Sequence, residues 1–100
     1  MLWAIYCISA PDSAALRKEH SAQHRSYLDA NEPHLFFAGG LQSDDATDIL
    51  GAVFILNVKD RDAAEAFIDG EPFNQAGVFE EVSIFRLGKG RFNRQLVDAA

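Results

Sequence analysis

The hydrophobic period along this chain switches between 2 and about 3.6 in a fixed order, and that order leaves few folds open. Leu2 to Ser9 is an apolar run of strand length, punctuated by Pro11-Asp12. From Ala14 to about Asn31 the spacing turns helical: Leu16, His20, Tyr27 and Leu28 share a face, His24 lies between them, and Glu19, Ala22 and Ser26 point elsewhere. Asp12 or Ser13 is placed to cap this helix by accepting backbone N–H bonds. Asn31-Glu32-Pro33 ends it, because a residue before proline is pushed out of the α region. His34 to Leu41 then reads as a strand whose Gly39-Gly40 pair suggests a bulge or a close backbone approach. Gln42 to Leu50, with Asp44, Asp45 and Asp48, reads as a solvated loop. Gly51 to Val58 is almost continuously apolar, as in a central strand. Asp60 begins a shorter helix with Ala63, Ala64, Phe67 and Ile68 as its core stripe, ended by Gly70. Glu71 to Gly77 is a connector in which Pro72 can open one helical turn. Val78 to Leu87 alternates, with Val82, Ile84 and Arg86 on one side and Ser83, Phe85 and Leu87 on the other.

The resulting order, β-α-β-β-α-β, is the split βαβ pattern of ferredoxin-like α+β folds. It predicts a four-stranded antiparallel sheet with both helices on one face. Two helices cannot cover Trp3, Ile5, Phe36, Phe54 and Phe85 together, so an apolar sheet face is left over. Packing that face against a second copy gives a homodimer, with Phe54 and Ile84 as positions where an introduced charge would unseat a partner. One hundred residues allow one domain, read here as 1–88, followed by a basic C-terminal tail, 89–100, with a short amphipathic end.

Fifteen acidic residues against nine basic ones give a net charge of -6. Nucleic-acid binding needs cations to replace phosphate counterions, so this balance argues against it, and against an anionic membrane surface. The single Cys7 cannot form an internal disulfide, and no Cys pair offers metal-ligand spacing. The apolar N-terminus lacks a basic leader and is too short to span a bilayer, so the expected compartment is the reducing cytoplasm. His20 and His24 stand one helical turn apart, the spacing of a helical zinc pair. No Glu or Cys nearby completes such a set, and His20 reads instead as a polar residue at a pocket rim. No metal and no cofactor are expected.

Certain residues resemble a known family. Arg17, His24 and Leu28 form R-x6-H-x3-L, Ala38-Gly39 follows the second strand, and Gly51 opens the third. Glu71-Pro72-Phe73-Asn74-Gln75-Ala76-Gly77-Val78-Phe79-Glu80 looks like D-P-[FY]-x-x-A-G-[LV]-[FY]-E. Together these resemble the YciI-like (YCII-related) proteins of the dimeric α+β barrel superfamily, over about Leu2 to Leu87. The family pattern has Asp at Glu71, Pro at Gly40 and Ser at Ala52. The resemblance implies a site built on His24 with Glu71, here without the serine hydroxyl.

An imidazole near neutral pH is a general acid or base, and a carboxylate on its other nitrogen fixes the tautomer. Catalysis by His24 and Glu71 therefore stands beside a purely structural bond between helix and loop. Arg17 offers a forked donor for an anionic substrate, or an ion pair with Glu19, Asp12 or Glu80-Glu81. Gly39 and Gly40 offer backbone N–H groups to an oxyanion, and Tyr27, Phe73 and His20 line the expected pocket. One function is a cofactor-independent enzyme, a lyase, isomerase or hydrolase acting on a small organic molecule, cyclic and aromatic ones included. The alternative is a non-catalytic dimer that binds a small ligand or assists another enzyme. A haem-degrading or quinone-forming monooxygenase is disfavoured, because no Asn–Trp–His constellation is apparent.

Overall fold

In the computed structural model, which describes residues 1–99, the chain runs β1 (Leu2–Ser9), α1 (Ala14–Glu19), α2 (Ser21–Ala30), a 3-10 turn (Glu32–His34), β2 (Leu35–Gln42), β3 (Ile49–Asn57), α3 (Arg61–Gly70), α4 (Pro72–Gln75), β4 (Phe79–Leu87) and α5 (Leu96–Ala99). The strands form one antiparallel sheet in the order β2-β3-β1-β4, the ferredoxin-like α+β arrangement. Strand register aligns three rows of side chains beneath the helices. They are Val82–Cys7–Ala52–Gly40, Ile84–Ile5–Phe54–Ala38 and Arg86–Trp3–Leu56–Leu35. Ala64, Phe67 and Ile68 of α3, then Phe73 and Val78, close the core over these rows. Asp60 starts α3 by accepting the Ala63 N–H at 2.8 Å, which satisfies one of the helix's free donors.

The first helix departs from the expected single span. It breaks at His20 (φ -101°, ψ 9°) without a proline or glycine. Backbone bonds from His20 to Leu16 and from His24 to His20 still carry the helical path across the break. Ser13 occupies the N-cap position of α1, but its side chain makes no capping bond. The sheet irregularities also differ from expectation: they flank Gly39-Gly40, at Leu35/Phe37 and Leu41/Gln42, instead of falling on the pair.

The leftover apolar face exists, with a different membership. Trp3, Ile5 and Phe54 are buried behind the helices, and only Phe36 and Phe85 of the expected set are exposed. Side chains alternate faces along each strand, and the register between strands decides which positions share a face: Phe85 pairs with Ala4 and so falls opposite Ile5 and Phe54. The open face carries Tyr6, Ile8, Phe37, Phe85 and Leu87, all substantially exposed. Phe54 is 1% exposed and Ile84 shares its row, so a charge at either would disrupt the core and not a partner contact. Beyond β4 the tail brings the Phe92 ring to 5.4 Å from that of Phe36, edge to face, while Leu96 and Val97 stay exposed.

Gly51 fixes the approach of the two central strands. A Cβ there would stand 1.9 Å from the Cys7 carbonyl oxygen, a separation no pair of atoms tolerates without backbone movement. Gly51→Ala should lower the unfolding free energy by about 2 kcal/mol or more, read from the urea midpoint. An unchanged midpoint would contradict this close contact.

Candidate functional site

The loop after α3 builds the site from a short run of residues with separate local duties. Glu71 is the N-cap of α4, and its Oε2 accepts the Asn74 N–H at 3.2 Å. Pro72 follows as the first helical residue, where its missing N–H costs nothing. The Asn74 side-chain amide donates to the Ile68 carbonyl at 2.9 Å, tying the turn back to α3. Gly77 ends the turn at φ +85°, a conformation that strains residues with a Cβ. Val78 then donates to the Phe73 carbonyl and enters the core.

With Oε2 committed to α4, Oε1 of Glu71 meets Nδ1 of His24 at 2.5 Å. A carboxylate oxygen only accepts, so the imidazole Nδ1–H is the donor. Glu71 has no solvent exposure and His24 keeps 19% of its side chain exposed. Nε2 has no protein partner among the described residues and is not among the sealed, unpaired polar atoms. The ring therefore points one nitrogen at a buried carboxylate and leaves the other without a partner among the described residues. The Phe73 ring stacks on His24 at 3.9 Å and 7°, and Phe54 meets it edge-on at 6.5 Å. These contacts hold the imidazole plane against an apolar wall. The additional methylene of Glu, relative to the family's Asp, is accommodated within hydrogen-bond distance.

Arg17 comes from α1. Its guanidinium donates to the Ser9 hydroxyl at 2.8 Å and lies 5.0 Å from the Phe73 ring centre and 5.9 Å from that of Phe79. The expected ion pair with Glu19, Asp12 or Glu80-Glu81 is absent among the described residues, where the only bridges are His24–Glu71 and Arg61–Glu65. Burial pushes the Arg17 pKa down from its ordinary value, and the Glu71 charge opposes that shift. Arg17 also lines a cavity of about 680 Å³ between α1 and the β2–β3 loop, with Ser9, Ser21 and Ile49.

The other expected pocket residues separate. Phe73 joins His24, as described. Tyr27 instead donates its hydroxyl to the Phe67 carbonyl at 2.8 Å and lines a different cavity. Gly39 pairs with Val53 and so lies on the open face, away from His24, while Gly40 pairs with Ala52 on the helix side. The His20 ring makes no hydrogen bond among the described residues. Among those residues no three His, Cys, Asp or Glu side chains gather where a metal could bind. Ser9 escaped sequence reasoning, because nothing in the chain marks a strand-end serine as the partner of an arginine eight residues on. Ala52, at the family's serine position, is 7% exposed and pairs with Cys7.

Comparison with known proteins shows the family and the fold. The YCII-related domain family matches residues 1–88. Protein YciI of Escherichia coli and Protein YciI of Shigella flexneri are each 31% identical over 91 residues, covering 84% of this chain and 93% of theirs. A solved structure, the 5-chloro-2-hydroxyhydroquinone dehydrochlorinase of Burkholderia phenoliruptrix AC1100 in complex with 2,5-dihydroxybenzoquinone, is 26% identical. It superposes with a TM-score of 0.82 over 90% of this chain and 96% of its own. No helix among the described residues is long and apolar enough to cross a membrane.

Cys7 lies under the site, fully buried, and burial together with the Glu71 charge pushes its thiol up to about 12. A raised thiol pKa keeps the neutral, unreactive form through the whole neutral range. Iodoacetamide at pH 8 should therefore leave the native protein unlabelled and label it fully in denaturant; rapid native labelling would contradict the burial.

Proposed function

The chain belongs to the YCII-related family, and from that premise we propose that it is a small-molecule enzyme in which His24 and Glu71 move a proton on a compact, oxygenated cyclic substrate. The observation that carries this reading is the division of the imidazole: Nδ1 held by a buried carboxylate, Nε2 unpartnered. Nε2 accepts a proton from an acidic C–H or O–H of the substrate, and Glu71 stabilises the imidazolium that forms. The released electron pair moves into the ring and either expels a leaving anion, an elimination, or is reprotonated at another atom by Nε2–H, an isomerisation. Arg17 supplies the adjacent positive charge for an enolate or phenolate oxygen. Likeness to a dehydrochlorinase solved with a dihydroxybenzoquinone supports this substrate class. A second reading, a ligand binder without turnover, is favoured by one observation: Ala52 has no hydroxyl where the family pattern carries serine.

Exposed Tyr6, Phe37, Phe85 and Leu87 support a homodimer packed through the open sheet face. The wild-type chain should sediment as a dimer and Phe85→Glu as a folded monomer, since the charge would be stranded in an apolar layer. A wild-type monomer at micromolar concentration would overturn this assembly.

The catalytic reading is tested with two probes. 2,5-Dihydroxybenzoquinone should perturb the His24 ring resonances, and 5-chloro-2-hydroxyhydroquinone should release chloride. His24→Gln should lower that release about 100-fold or more while changing quinone affinity only a few-fold, the behaviour of a lost acid–base group. Equal rates in the variant would end the catalytic role of His24; tight binding without release would establish the binding reading.

A further inference from the structure

A second cavity, of about 660 Å³, opens toward the C-terminal end of β3, between α2, α3 and the strand edge. Its size suits a small organic ligand. Its floor is apolar, formed by Ala63, Ala66 and Phe67 with Leu56 sealed beneath them, and its rim carries Asn31, His34 and Lys59. Among the described residues no Asp or Glu lines it, although the chain has fifteen acidic residues and a net charge of -6. The cavity by Arg17, in contrast, includes Asp12 and Asp48 and adjoins the site already described. Tyr27 forms one wall of the second cavity, and its hydroxyl is already spent on the Phe67 carbonyl, so the phenol offers the cavity its ring. Leu56 and Phe67 belong to the helix-side core, so a partner on the open sheet face would not cover the opening.

We propose that this cavity binds a small organic anion, an aryl or alkyl carboxylate, with its apolar body on Ala63, Ala66 and Phe67 and its carboxylate at the Lys59 ammonium. Ammonium–carboxylate contact at the exposed rim gives direction, and the apolar floor gives most of the affinity. The site is separate from His24 and Glu71 and stands whether or not that pair turns over a substrate.

The probes are phenylacetate and its neutral amide, phenylacetamide, each titrated into the full chain and followed by backbone amide resonances. Phenylacetate should give saturable shifts centred on Asn31, Ala63 and Ala66. Phenylacetamide should bind about tenfold more weakly, and Lys59→Gln should weaken phenylacetate by a similar factor. Lys59 is exposed, so the variant should fold as the parent does. Shifts that do not saturate, shifts confined to Arg17 and His24, or equal affinity for acid and amide would each overturn the proposal.

Discussion

Glu71 is a carboxylate with no solvent exposure, and the contacts around it offset the cost of burying it. Burying an unpaired ion costs several kcal/mol even after relaxation. Glu71 meets it with an N–H from α4 on one oxygen and an imidazole N–H on the other, while the Arg17 charge lies within electrostatic reach. The same side chain thus starts a helix and orients a histidine. Removing it would unsettle the turn and free the ring together.

The rest of the fold serves to bring α2 and the α3–β4 connection over the same part of the sheet. Order β2-β3-β1-β4 places β1 and β3 centrally, and their helix-side row of Cys7 and Ala52 lies beside the row of Ile5 and Phe54. Gly51 permits the close approach of those strands. Phe54 and Phe73 then give His24 an apolar wall and a stacking partner. A ring held this way keeps one orientation, which is what the proposed proton transfer would require.

Element types and their order were legible because each has its own hydrophobic period, and the helix period placed His24 inward. The pairing of His24 with Glu71 was legible through the resemblance of the connector to the family's motif, and in this chain Glu71, Pro72, Phe73 and Gly77 each have a local duty in the turn. Other features depend on three-dimensional context. Which aromatic residue faces the helices depends on strand parity, so Phe54 and Phe85 could not be sorted by hydrophobicity. Tyr27 lies three residues after His24, a rotation of about 60° around the helix, enough to send it to a different cavity. Arg17 pairs with Ser9 across the turn joining β1 to α1, a contact without a sequence signature. The break at His20 has no local cause in residue type.

The two nitrogens of His24 face different surroundings, and the ring nitrogen resonances of a 15N-labelled sample read that difference directly. In the neutral ring the hydrogen should reside on Nδ1, facing Glu71, with Nε2 bare, and Glu71→Ala should abolish that preference. A neutral ring carrying its hydrogen on Nε2 in the wild-type protein would contradict the central claim.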